Sequence, residues 1–228
     1  MKKITVIVVI ITALVMTIPG LARTGGGKFE GIIYYSISYP NSNLPEEKLA
    51  IMPKSATLYV KGTSTRNETM TPMGNVVVVN NIDKKFSATL LNMMGKKMAI
   101  KKSMDEISKE ISNQTKPGIK LTDETREIAG YKCKKAILTV SANGSQTNYE
   151  IWYSDELGGK ETNFGNPIYQ DIEGMLMEFS LRERSVSMKY TVTKVESKTL
   201  ADTYFEIPAD YQLTTEAELR SMFGGGGN

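Results

Sequence analysis

Met175-Leu176-Met177-Glu178-Phe179-Ser180-Leu181-Arg182 and, two residues on, Ser185-Val186-Ser187-Met188-Lys189-Tyr190-Thr191-Val192-Thr193 decide the fold class. In the first run Met177, Phe179 and Leu181 share one face, and Glu178, Ser180 and Arg182 share the other. In the second, Val186, Met188, Tyr190 and Val192 stand opposite Ser185, Ser187, Lys189 and Thr191. Side chains alternate across a strand, so both runs read as strands with one buried face, and their spacing reads as a hairpin.

The same pattern extends in both directions. Lys132 to Ser141 and Thr147 to Ser154 flank Asn143-Gly144, a strong short-hairpin signal. Ile119 to Ile128 precedes them, turned by Ala129-Gly130. Phe29 to Tyr39 reads as a strand with Ile33, Tyr35, Ile37 and Tyr39 on one face. Thr57 to Lys61, Thr65 to Met70, Asn75 to Asn80, Lys84 to Leu91 and Lys96 to Lys101 form a meander punctuated by Pro72-Met73-Gly74, Asn81 and Met94-Gly95. Val76 to Val79 is apolar on both faces, which predicts a central strand covered on both sides.

Three short helices interrupt the strands. Leu44 to Met52 has Pro45, Glu46 and Glu47 in its first turn, where proline and acids suit a helix start. Ser103 and Glu106 have capping-box spacing ahead of the stripe Met104, Ile107 and Ile111. Thr215 to Phe223 is the last. The pattern is mainly β, of the α+β kind and antiparallel, without a dinucleotide-type βαβ unit or a repeat of fixed period.

The first 22 residues read as a secretory leader. Lys2 and Lys3 give a basic start, Ile4 to Ile18 an apolar core, and Pro19-Gly20-Leu21-Ala22 a break followed by small residues. A membrane anchor needs about 20 apolar residues, and this core is nearer to 15. The expected organisation is a leader over 1–22, a flexible lead-in over 23–27, one domain over 28–223 and a disordered glycine-rich tail over 224–228. Localisation is then periplasmic or otherwise exported, with no membrane span after cleavage. The formal charge of +3 falls to about +1 once Lys2 and Lys3 leave, which gives no global attraction to nucleic acid.

The sequence is poor in catalytic chemistry. It has no histidine, which removes Ser-His and Cys-His machinery and the usual zinc-hydrolase ligand sets. The one cysteine, Cys133, lies in an alternating run and reads as a small buried hydrophobe. Asp155-Glu156 and Asp171 with Glu173 are carboxylate pairs in turn-like contexts. The expectation is no enzyme, no catalytic residue, no metal and no cofactor. Lys84, Lys85, Lys96, Lys97, Lys101 and Lys102 crowd one β region, either as solvated strand faces or as a surface for anionic headgroups or an acidic partner. Thirteen methionines include the groups Met93, Met94, Met98, Met104 and Met175, Met177, Met188. They suit ordinary core filling or an adaptable apolar cavity.

The order of the motifs carries a resemblance. Phe29-Glu30-Gly31, Leu44-Pro45-Glu46-Glu47, Met52-Pro53-Lys54-Ser55, Leu58-Tyr59-Val60-Lys61-Gly62, Glu127-Ile128-Ala129-Gly130-Tyr131-Lys132-Cys133, Glu150-Ile151-Trp152-Tyr153-Ser154 and Tyr204-Phe205-Glu206-Ile207-Pro208 follow one another across residues 28–213. The chain resembles an uncharacterised family of exported bacterial domains related to the outer-membrane lipoprotein carriers, LolA/LolB-like in fold. The resemblance implies a curved antiparallel sheet, a half-open barrel, with two or three short helices covering its concave side. It also implies an apolar space between sheet and helices. The expected function is non-enzymatic binding of a lipid, lipopeptide or other apolar ligand, with a lipid or lipidated protein as partner. The expected lining is Val77, Val79, Met93, Met98, Met104, Ile107, Met177, Met188 and Tyr190. The alternative is an envelope domain with a self-filled core and a protein partner.

Overall fold

A computed structural model describes residues 29–224, apart from 41, 43, 73, 94, 114–115, 143–144, 165, 167 and 184–185. The expected leader and lead-in, the last four tail residues, Met94 and the Asn143-Gly144 turn therefore lie outside the described residues. The strands are β1 (Glu30–Ser38), β2 (Ser55–Lys61), β3 (Ser64–Thr71), β4 (Gly74–Asn81), β5 (Phe86–Met93), β6 (Lys96–Ser103), β7 (Gly118–Ile128), β8 (Tyr131–Ala142), β9 (Ser145–Ser154), β10 (Met175–Glu183), β11 (Val186–Ser197) and β12 (Gln212–Thr214). The helices are α1 (Glu46–Ala50), α2 (Met104–Ser112) and α3 (Glu216–Gly224).

The twelve strands among the described residues join one sheet in the order β12-β6-β5-β4-β3-β2-β1-β11-β10-β9-β8-β7. Two meanders, β2 to β6 and β7 to β11, lie side by side, and β1 is the seam between them. The neighbours are antiparallel with one exception, because β12 runs parallel to β6. The curved antiparallel sheet is thus as expected, and β12 joins its far edge in the direction of β6 because the chain crosses the sheet after β11.

The sheet is strongly bent. Five strand spacings separate β4 from β10, about 24 Å if the sheet were flat. Yet Val78 and Asn80 of β4 line the same space as Phe179 and Leu181 of β10. Register shifts at Tyr34/Tyr35, Leu121/Thr125 and Leu176/Glu178 supply local twist and bending. The edges β7 and β12 stay apart in the strand order, so the sheet forms an open half-barrel.

Strand alternation splits the interior in two. On β1, Ile33, Tyr35 and Ile37 enter one core while Ile32 enters the other. The first core fills the concave side with Ala136, Leu138, Ile151, Met177, Phe179, Met188 and Tyr190, and the connection from β9 to β10 closes it with Leu157, Tyr169 and Ile172. Within that connection, the Asn163 amide donates to the carbonyls of Ile172 (3.0 Å) and Gly174 (2.9 Å), and the Tyr169 hydroxyl donates to that of Ser180. The second core lies on the convex side. Val77, Val79, Phe86, Ala88, Leu90 and Ala99 pack beneath Leu200 and Phe205 of the chain that follows β11.

Val76 to Val79 is thus covered on one side only. Val77 and Val79 are buried under the C-terminal segment, whereas Val78 looks into a cavity. The C-terminal segment is fastened by polar contacts. Asn81 donates to the Phe205 carbonyl (3.0 Å), Arg66 to that of Tyr204 (3.2 Å), and Lys61 to that of Leu200 (2.7 Å). Lys84 pairs with Glu206, Lys97 with Asp210, and Lys102 with Glu110 and Glu216. Lys84, Lys97 and Lys102 therefore meet acids that come from later in the sequence. Exposed pairs contribute about 0–1 kcal/mol each, so burial of Leu200 and Phe205, about 1.5–3 kcal/mol apiece, is the stronger hold.

The local signals act as expected. The Ser103 hydroxyl accepts from the Glu106 amide (3.3 Å) and the Glu106 carboxylate accepts from the Ser103 amide (2.7 Å), which closes the capping box of α2. Ala129 (φ 50°) and Gly130 (φ 83°) are both left-handed, the geometry of a two-residue turn that matches strand twist.

Candidate functional site

The concave side holds a cleft of about 340 Å³ where the two meanders face each other. One wall comes from β1, β10 and β11: Tyr35, Met175, Phe179, Leu181 and Tyr190. The Phe179 and Tyr190 rings stack, 4.9 Å apart and 7° from parallel, and Tyr35 meets both edge-on. Tyr169 packs edge-on behind Phe179 at 5.5 Å. These packed rings make the wall rigid, since each aromatic contact adds about 0.5–1.5 kcal/mol beyond simple burial. The Tyr35 hydroxyl donates to the Leu176 carbonyl at 2.8 Å, and burial pushes its ionisation far above the ordinary tyrosine value. It stays neutral and serves to position the wall.

The facing wall is built differently. Thr65 and Asn67 of β3 and Val78 and Asn80 of β4 point into the cleft, and Thr162, Asn163, Phe164 and Asn166 reach it from the β9–β10 connection. The pairing of β3 with β4 sets Thr65 opposite Asn80 and Asn67 opposite Val78. Asn80 Nδ2 donates to Thr65 Oγ1 (3.2 Å) and to the Phe164 carbonyl (3.3 Å). A carbonyl only accepts, so this bond fixes which way the Asn80 amide faces. Its Oδ1 is buried and has no hydrogen-bond partner among the described residues. Leaving such an acceptor unpaired costs about 1–3 kcal/mol.

The expected lining residues separate into groups. Tyr190 lines the cleft. Met177 and Met188 belong to the first core. Met93 and Met98 lie on β5 and β6, and Met104 and Ile107 on α2, which packs on those two strands. Met98 and Ile107 are buried there. Val77 and Val79 are corrected: they face the convex core and share no wall with Tyr190. The cleft residues absent from the expectation include Tyr35, Leu58, Val78, Phe179, Leu181 and the Asn/Thr set. The alternation that marked Phe179 and Leu181 as partners of Met177 was a signal for part of that wall. The polar set carried none, because its meaning depends on long-range pairing.

A shallower groove lies beside Ile37, Tyr39, Leu49 and Ala50, under α1, none of whose side chains is buried. Burial raises the Tyr39 hydroxyl to about 12, and that hydroxyl donates to the Pro53 carbonyl. Three of the acids picked from sequence pair with lysines, Asp155 with Lys134 (2.6 Å), Glu173 with Lys160 (3.5 Å) and Asp171 with Lys116 (3.9 Å), and Glu156 accepts from the Lys132 backbone amide (3.3 Å). No group of three acids or cysteines gathers as a metal site among the described residues. Cys133 is buried in the first core, and desolvation pushes its thiol up to about 11.

Residues 32–213 match the family described as N-glycanase peptide, N-terminal domain. Among solved structures, the chain is similar to PNGF-II in a C2 space group, with 17% identity, a TM-score of 0.52, and coverage of 86% of this chain and 33% of that one. It thus spans about a third of the PNGF-II chain. LprF from Mycobacterium bovis aligns at 10% identity and a TM-score of 0.34, over 80% of this chain and 90% of that one. No curated protein matches. At this identity the likeness to PNGF-II concerns the fold. The curved open sheet implied by the motif resemblance is the fold observed, while the matching family is named for N-glycanases.

Proposed function

The chain belongs to the N-glycanase peptide N-terminal domain family, and on that footing we propose that it is an exported, non-enzymatic binding domain whose concave cleft holds a small amphipathic ligand. The observation that carries this reading is the cleft itself: about 340 Å³, with stacked rings on one side and amide and hydroxyl side chains on the other. That size and mixture are typical of small-molecule sites. The absence of histidine from the sequence and the pairing of the acids with surface lysines support binding without bond-making. Export rests on the leader pattern of residues 1–22. The family name adds a carbohydrate-linked setting, and the resemblance to lipoprotein carriers adds an apolar moiety; the cleft has a wall suited to each.

Native mass spectrometry of the protein gently extracted from its own envelope tests the reading. A bound species should be present and should vanish in Val78→Trp, which fills the cleft from β4. A folded Val78→Trp protein that keeps the same adduct would contradict it, as would repeated ligand-free preparations of the unaltered chain. A self-filled envelope domain is the second reading, favoured by the complete burial of Met175 and Met177. A protein crosslinked in the envelope, with no small adduct, would select it.

A further inference from the structure

We infer that the occupant of the cleft is uncharged and two-faced, presenting hydroxyl or amide groups to the β3–β4 wall and an apolar face to the Phe179–Tyr190 stack. This rests on the binding reading above and narrows its ligand. Among the described residues no lysine, arginine, aspartate or glutamate lines the cleft, although such residues make up 23% of the chain. A carboxylate or phosphate entering there would lose water without gaining a counter-charge, and that loss is severe. A neutral polar group meets better partners. Thr65, Asn67 and Asn80 are brought together by strand pairing, and carboxamides both donate and accept. Asn67 is exposed and has no side-chain hydrogen bond within the described residues, so its amide is available. Asn80 holds the wall together, its amide nitrogen donating to Thr65 Oγ1 and the Phe164 carbonyl while its Oδ1 is buried behind the surface. Asn67 beside it offers the cleft both an N–H donor and a C=O acceptor. The opposite wall offers flat ring faces, suited to an alkyl segment or to the C–H face of a sugar ring.

That chemistry could come from a free saccharide or from the uncharged head of a lipid. Titration calorimetry of the full chain at pH 8 separates the sources and tests the claim, with octyl β-glucoside below its micellar concentration, glucose, and sodium decanoate as probes. The glucoside should bind at least about tenfold more tightly than decanoate. Glucose binding as tightly as the glucoside would identify a saccharide, and a need for the alkyl tail would identify a neutral lipid; both support the inference. Asn67→Leu, at an exposed position, should weaken the glucoside about tenfold, the loss expected for one hydrogen bond, and leave decanoate unchanged. Decanoate binding as tightly as the glucoside would overturn the inference and leave the binding reading standing. Binding of none of the three probes, combined with no native adduct, would remove both.

Discussion

The two meanders are halves of one sheet, yet they bury opposite faces. The β2–β6 half hides its convex face, where Leu200 and Phe205 lie across Val77, Val79 and Leu90. The β7–β11 half hides its concave face, where Leu157, Tyr169 and Ile172 seal Leu138, Ile151 and Met177. Between β4 and β10, however, the concave side keeps an open space. On the convex face of the β7–β11 half, the Arg126 guanidinium lies 4.1 Å over the Trp152 ring, and Glu178 bridges Arg126 (2.7 Å) and Lys189 (2.9 Å). Long charged side chains can cover apolar surface while keeping their heads in water. On the concave side of the other half, Val78 and Asn80 face the Phe179–Tyr190 stack across the open space, and that space is the cleft. A bent sheet with a cover on alternate sides of its two halves leaves a cleft between them, closed in part by the β9–β10 connection.

Substitutions can break the two halves separately. Phe205→Ala removes the main apolar anchor of the convex cover and should cost about 3–5 kcal/mol in urea unfolding. Native-state hydrogen exchange should then speed up in β4 to β6 more than in β8 and β9. Leu138→Ala should cost about 2–5 kcal/mol and reverse that pattern. Equal acceleration everywhere in both variants would mean that the halves open as one unit. Gly31→Ala strikes the seam: a Cβ there would lie 2.2 Å from the Glu196 carbonyl oxygen and 2.7 Å from the Phe29 ring. Such crowding costs about 1–3 kcal/mol, and the exchange rates of both halves should rise together.

The smallest effect concerns Cys133 and is invisible at neutral pH. Its thiol titrates at about 11 when folded, against 9.0 ordinarily, because burial disfavours the thiolate. The unfolded chain therefore loses this proton first as pH rises. The contribution to stability is whole below pH 9 and disappears as pH passes toward 11. Cys133→Ala should flatten the decline in unfolding free energy over that window. Maleimide labelling of the unaltered chain at pH 8 should be slow and track unfolding; rapid labelling of folded protein would show an exposed thiol.

Much of the sheet was legible in the residues because alternation is local. Met177, Phe179 and Leu181 gave both strand and face, and Ser103 with Glu106 gave the start of α2. The valine run could not give its phase. Four identical side chains look alike from either face, so only pairing and the long-range cover decide that Val77 and Val79 turn outward while Val78 turns inward. The convex cover itself was legible only as scattered apolar residues, since Phe205 reaches Val79 across more than a hundred positions of sequence. The polar wall was hidden for the same reason: Asn67 and Asn80 read as ordinary strand residues until the bend brings them opposite Phe179.

The alternating valines offer the most direct test. In a methyl and amide NMR titration with octyl β-glucoside, the resonances of Val78, Leu58 and Leu181 should shift together with those of Asn67 and Asn80. Val77, Val79 and Leu90 should stay in place. Shifts confined to the second set, or spread evenly over both, would contradict a ligand cleft between the two halves of the sheet.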